Sequence, residues 1–263
     1  MDMVIKMEHT ITTTYELPFD RDMRIVLLSD LHQRDPEPAI MLTKELRPDI
    51  ICVAGDTFER YDRHLHPLYK TPAAIILMVL SKTLDYLTNY PREHPPVNNA
   101  YALLEGLSTI APVFLSLGNH ESYLKEEDLD IINKYHITLL DNTYVRYDDI
   151  VIGGLSTHIN KKFIKKFKKQ SGIKILLCHH PEYYDQYHLE DIDLILSGHT
   201  HGGQIRFFKH GFFASGQGVF PKYSKGLYHN HMIVSAGLAN TVSFPRLNNP
   251  CEVVLIDLKK VKK

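Results

Sequence analysis

Cysteine is scarce. Cys52, Cys178 and Cys251 are the only three in 263 residues, far apart and in no C-x-x-C spacing. That argues against a disulfide framework and a thiolate zinc knot. With no N-x-[ST] sequon, it leads us to expect a reducing, cytoplasmic setting. Long apolar runs are missing too. The longest, "AAIILMVL" from Ala73, falls short of the roughly 20 residues a bilayer span needs. The opening "MDMVIKMEHTITTTYELPFD" holds no stretch of signal-peptide or anchor length. Excess charge is also lacking: 30 Lys+Arg stand against 31 Asp+Glu, a formal net charge of −1. Nothing therefore draws the chain generally to nucleic acid, and no motif for nucleic-acid readout is present. Histidine, by contrast, is plentiful at 16 residues; it is the commonest metal ligand and the usual acid–base group near neutral pH.

Short, unalternating apolar runs recur, and five end in a polar cluster. "MRIVLL" runs into Ser29-Asp30-Leu31-His32, and "DIICVA" into Gly55-Asp56. "PVFLSL" runs into Gly118-Asn119-His120-Glu121, "IKILLC" into His179-His180-Pro181, and "IDLILS" into Gly198-His199-Thr200-His201. Such runs suit strands buried on both faces. Helical patterns separate them. Thr71-Pro72 reads as a helix start, with Ile75, Ile76, Val79, Leu80, Leu84 and Leu87 on one face before Pro91. Further helices are expected near residues 36–46, after Asn98 and near 124–135. Strands alternating with helices predict a largely parallel α/β sheet in the first half. After residue 200, "HMIVSAG" and "CEVVLIDL" predict a second, more antiparallel sheet. No repeat or low-complexity linker divides the chain. One domain over 1–263 is expected, with a helical insertion at 61–111 between the second and third clusters.

Ligands of open α/β folds gather just beyond the carboxyl ends of strands, where all five clusters fall. Each alone reads as a capped turn; five together do not. The candidate metal ligands are Asp30, His32, Asp56, Asn119, His179, His199 and His201. Carboxylate and imidazole together suit zinc, iron or manganese. Seven donors are too many for one tetrahedral ion and suit two ions that share a carboxylate. Two ions roughly 3.5–4 Å apart clamp the attacking and leaving oxygens of phosphoryl transfer.

The order D-x-H, G-D, G-N-H-E, H-x-P, G-H-T-H over residues 24–204 resembles that of the calcineurin-like metallophosphoesterase superfamily. "GHTHGGQ", the later "GLY" and "FPRLNNPCEV" are most similar to its YkuE/YaeI-type phosphodiesterase branch. The resemblance implies a four-layer α/β/β/α sandwich of two mixed sheets flanked by helices, with the metal site at the strand C-terminal ends. It also implies a division of ligands among two divalent ions (Mn, Fe or Zn). Asp30, His32 and His201 would hold the first, Asn119, His179 and His199 the second, and Asp56 would bridge them. The expected reaction is hydrolysis of a phosphodiester by in-line attack of a hydroxide shared by the ions. His120, next to a ligand but not one, is expected to protonate the leaving group, with Glu121 orienting its ring. A phosphomonoesterase or protein phosphatase is the alternative, followed by a non-catalytic scaffold of the same fold.

Other residues carry weaker expectations. His180 reads as a pocket or capped-loop residue and His158 as a pocket-lining candidate. Glu59-Arg60 resembles the Asp-Arg step of phosphoprotein phosphatases, Arg60 being either a phosphate contact or half of a surface ion pair. The rings Phe207, Phe208, Phe212, Phe213, Phe220 and Tyr223 either form an apolar rim for a lipid tail or bilayer, or half of them fill the core under the second sheet; burial of aromatics favours the second reading. "KKFIKKFKK" at 161–169 is either a lipid-facing basic helix or a solvated one with a buried stripe. The expected substrate is a phosphoester, lipid-linked or nucleotide-linked. A peripheral membrane contact is considered, and no obligate protein partner is indicated.

Overall fold

The chain's β-branched and leucine-rich runs become strands with no exposed face. In the computed structural model, which describes residues 10–60, 95–214, 216–241 and 245–261, five of them are β2 (Met23–Leu28), β3 (Ile50–Ala54), β4 (Val113–Ser116), β8 (Ile173–Cys178) and β9 (Leu194–Ser197). They match the five apolar runs of the sequence. The helical pattern over 71–90, and with it much of the expected 61–111 insertion, lies outside the described residues.

Two six-stranded sheets result. The first runs β1 (Thr10–Phe19), β16 (Cys251–Lys260), β2, β3, β4, β5 (Thr138–Leu140). The second runs β14 (Gly226–Tyr228), β15 (Met232–Val234), β9, β8, β7 (Ile150–Leu155), β6 (Thr143–Tyr147). Between β9 and β14 lie two small antiparallel ladders, β10 (Arg206–Phe207) with β11 (His210–Gly211) and β12 (Phe213–Ala214) with β13 (Gly218–Val219).

The β2–β5 ladder is parallel, as the strand–helix alternation predicts. The last strand is a correction. β16 does not join a second, antiparallel sheet; it lies in the first, parallel to β1 and antiparallel to β2. A run such as "CEVVLIDL", with its first six residues buried, belongs between two neighbours rather than at an edge.

The sheets stack face to face through Ile25, Leu27, Ile50, Ile152, Ile175 and Leu196. Helices α1 (Glu37–Leu46), α2 (Asn98–Ser108) and α3 (Glu126–Lys134) cover the outer face of the first sheet, with Leu103, Leu104 and Ile132 in its core. Helices α4 (Lys161–Lys168) and α5 (Tyr183–Gln186) cover the second. The architecture is the four-layer α/β/β/α sandwich. In α4 the stripe Phe163, Ile164 and Phe167 is buried against the sheet. Gly153 lets this happen, since a Cβ there would strike the Phe167 ring at 2.6 Å. The apolar face of α4 is thus consumed by the fold, and its lysines are its solvated side.

Candidate metal centre

The five strand-end loops converge. Asp30 and His32 follow β2, Asp56 follows β3, Asn119 and His120 follow β4, His179 follows β8, and His199 and His201 follow β9. Asp30, His32, Asp56, His199 and His201 all hold left-handed backbone, with φ of 55°, 50°, 55°, 71° and 45°. Non-glycine residues pay about 1–3 kcal/mol each for such conformations, which persist where the surroundings dictate them. The chain bends sharply after β2, β3 and β9 to aim polar side chains at one point. Gly118 is needed for the closest approach: a Cβ there would overlap the Asp56 carboxylate.

Four donor groups form among the described residues. Asp30, His32 and His201 lie together, as do Asp56, His179 and His199; His32, Asp56 and His120 overlap both, and His180, Glu182 and His199 overlap the second. His32 Nε2 stands 3.9 Å from Asp30 Oδ1 and 3.8 Å from Asp56 Oδ2. His201 Nε2 is 3.7 Å from Asp30 Oδ1, and His179 Nε2 is 3.1 Å from Asp56 Oδ2. Most of these gaps are too long for hydrogen bonds and right for donors about 2.0–2.2 Å from a shared cation. His32 Nε2 and Asn119 Oδ1 are buried without any hydrogen-bond partner. Buried polar atoms are normally paired, so a cation is the partner this donor set fits. Asp30 and Asp56, both buried, contribute charge that burial would otherwise penalise.

The histidine tautomers are set from behind. His179 Nδ1 donates to Ala54 O at 2.7 Å, and His32 Nδ1 to Glu59 Oε1 at 2.6 Å. Both turn Nε2 inward; burial lowers the pKa of His179, but Asp56 and Asp30 outweigh that and lift it to about 10. Burial resists the charge on Asp56, but His179, His120 and His32 outweigh it and hold the carboxyl well below its usual range. Burial pushes His201 down to about 3 and His199 well below the ordinary imidazole value. Both are neutral, as ligands must be.

His120 is placed differently. Its amide donates to Asp56 Oδ1 at 2.8 Å, its Nδ1 donates to Glu59 Oε2 at 2.9 Å, and its side chain is 23% exposed. Burial lowers its pKa, but Asp56 and Glu59 outweigh that and lift it to about 9.

The expectation for Glu121 is corrected. Its carboxylate accepts the backbone N–H groups of Asp56, Thr57, Phe58 and Gly118, so it braces two loops and does not orient His120. Glu59 orients His120, reaching both His32 and His120 with its two oxygens. Its position three residues after Asp56 was the available signal. Two more residues join the cluster beyond the expected set. His180 packs on His199 at 4.0 Å between ring centroids, and Glu182 lies 3.1 Å from His180 Nδ1. Arg60 pairs with buried Asp128, and His158 is exposed, in none of the donor groups among the described residues.

A family model for calcineurin-like phosphoesterases matches residues 23–203, which hold every residue of the cluster. Three relatives extend the comparison. An uncharacterised metallophosphoesterase of Campylobacter jejuni is 27% identical over 94% of this chain and 62% of its own length. The chain therefore spans less than two thirds of that relative. The uncharacterised metallophosphoesterase YkoQ of Bacillus subtilis is 26% identical over 86% of this chain and 79% of its own. UDP-2,3-diacylglucosamine pyrophosphatase LpxG of Chlamydia trachomatis is 28% identical over 70% and 64% respectively.

Proposed function

The chain belongs to the calcineurin-like phosphoesterase family, and from that premise we propose that it hydrolyses phosphodiesters with two divalent cations at this centre. Asp30, His32 and His201 would hold one ion, Asn119, His179 and His199 the other, and Asp56 both. Such a pair supplies Lewis acidity toward the phosphoryl oxygens and a water of lowered pKa. The observation that carries the reading is a pair of buried donors without partners, His32 Nε2, 3.8 Å from Asp56 Oδ2, and Asn119 Oδ1 in the loop after β4.

The chain's own residues do the rest. His120, protonated at neutral pH and partly open to solvent, donates a proton to the departing oxygen, a contribution of typically ~10²–10⁴-fold. Glu59 fixes its Nδ1–H, so Nε2 is the atom that works. Glu121 keeps the Asp56 and Gly118 loops in register. Diester preference is supported by the engagement of Arg60 and Arg246, two cationic side chains described beside these loops. Arg60 is engaged by Asp128 and Arg246 by Ala236, Ala239 and His201, which suits a singly charged phosphate better than a dianion. The name of the Chlamydia relative specifies a nucleotide-linked, acylated ester, so that class is the first natural substrate to try.

Turnover of bis-p-nitrophenyl phosphate and p-nitrophenyl phosphate by manganese-loaded protein tests the reading. Faster diester cleavage is expected. Faster monoester cleavage would make it a monoesterase, and no turnover of either would favour a scaffold.

A further inference from the structure

Ten large apolar side chains are exposed among the described residues, and six of them fall between Phe207 and Leu247. The most prominent sit on the β10–β11 hairpin that follows the His201 loop. Phe207 is 61% exposed and Phe208, in the turn, 100%. Farther along, Phe220 is 71% and Leu247 46% exposed. The backbone ties the segments that carry them to the hairpin. Phe220 packs edge-on to Phe212, whose amide donates to Ile205 O, and Ile205 bridges Leu247. Half of the six rings are expected in the core, and the six do divide, with Phe207, Phe208 and Phe220 exposed. Of the six, only Tyr223 is buried, while Phe212 and Phe213 are half-buried.

The hairpin is rigidly posted. Arg206, buried beneath it, donates to Gly202 O, Ser224 Oγ and Lys209 O at 2.9, 3.1 and 2.5 Å. Phe208 is held at φ +56°, a left-handed conformation that a bulky residue adopts only under constraint. A rigid turn that presents a fully exposed phenyl ring contributes nothing to the fold, so its use is external.

Charge identifies the partner. No Asp or Glu occurs between Asp193 and Glu252, while Arg206, Lys209, Lys222, Lys225 and Arg246 all do. Lys222 answers Asp185 and Lys225 answers Glu252. Lys209, exposed at the tip beside Phe208, has no ion pair among the described residues. Projecting rings beside an ammonium without an ion pair among the described residues, on a segment with no carboxylate of its own, complement a surface that is apolar beneath and anionic above. We infer that the β10–β11 hairpin, with Phe220, is a docking surface for an anionic lipid bilayer. The rings enter the acyl boundary and Lys209 meets the headgroup phosphates. The basic helix α4 plays no part through its apolar face, which is already buried.

Co-sedimentation of the full chain with vesicles of phosphatidylcholine, with and without phosphatidylglycerol, tests this. Binding is expected only when the anionic lipid is present. Phe207→Ser and Phe208→Ser should each lower the vesicle partition coefficient about tenfold, and Lys209→Glu about fivefold. Turnover of soluble bis-p-nitrophenyl phosphate should be unchanged in all three, and it reads the hydrolytic assignment separately. Three results would overturn the docking surface: no binding by wild type, equal binding by the variants, or a wild-type dimer in sedimentation that the Phe variants dissolve. The last would make a second copy of this chain the occupant.

Discussion

Asp56 lies fully buried between His32, His120 and His179, and its two oxygens face different tasks. Oδ1 accepts the His120 amide, while Oδ2 faces the Nε2 atoms of His32, His120 and His179. Replacing it with Asn removes the charge that both proposed ions share. Asp56→Asn should lose at least one of two metal equivalents by elemental analysis. His120→Ala should retain both and lose about 10²–10⁴ in turnover; release of metal by that variant would reverse the division of roles. Glu59 links the two groups. Burial works against its charge, yet hydrogen bonds from His120 and His32 hold it near 2. At neutral pH it is an acceptor for two Nδ1–H donors, and a carboxamide has only one oxygen to offer them. Glu59→Gln should therefore lower the pKa of His120. His120 must be protonated to act, so the alkaline limb of the pH–rate profile should move to lower pH. An unmoved limb, with lower kcat alone, would reduce Glu59 to packing.

Helix α3 shows how an element outside the site holds a site loop. Asp128, in its first turn, caps the Lys125 amide, accepts both Nε–H and Nη2–H of Arg60, and takes the Tyr101 hydroxyl of α2. Arg60 in turn bridges Glu121 through the backbone, so the Asp56 loop, α2 and α3 share one polar node. Breaking a buried pair by removing one charge costs about 3 kcal/mol, so Asp128→Asn should lower the urea unfolding free energy by about that much at pH 7. Burial opposes the charge, but Arg60, Lys125 and Tyr101 hold the folded carboxyl below its usual value. Its contribution is thus complete above about pH 4 and fades as pH falls through the lower folded value. The variant's deficit should close in acid, and a deficit constant with pH would point to packing alone. Elements of this kind were partly legible. The runs at β2, β3, β4, β8 and β9 announced themselves because strands buried on both faces have no polar positions to blur them. β1, "TITTTYELPF", did not, since its exposed threonines resemble a loop. β16 was legible as a strand but not as a member of the first sheet, because pairing across more than 200 residues leaves no local mark. Glu59 and Glu121 share a residue type, and only the left-handed turn at Asp56 decides which carboxylate reaches His120.

The whole molecule places its proposed ligands on both sheets. Asp30, His32, Asp56 and Asn119 come from strand ends of the first, and His179, His199 and His201 from the second. Cations at this centre would be cross-links between the two halves of the sandwich at one end, where direct contacts are mostly between like polar groups. Without them, His32 Nε2 and Asn119 Oδ1 stay unsatisfied, and Asp30 and Asp56 keep only one backbone amide each besides the imidazoles. Folding stability should then depend on metal by mass action. An ion held at 100 times its dissociation constant adds about 2.7 kcal/mol, and two add more. Chelator-treated protein should melt several degrees lower than manganese-loaded protein, with recovery on adding manganese back. Hydrogen exchange should quicken first in the loops after β2, β3 and β9, not in the sheet centres where Ile25, Ile152 and Leu196 interlock. Asp56→Asn should blunt the shift, whereas His120→Ala should keep it whole. A melting point indifferent to chelator, in protein shown to have lost its metal, would mean that the loops are held by the fold alone and that the strained turns owe nothing to bound cations.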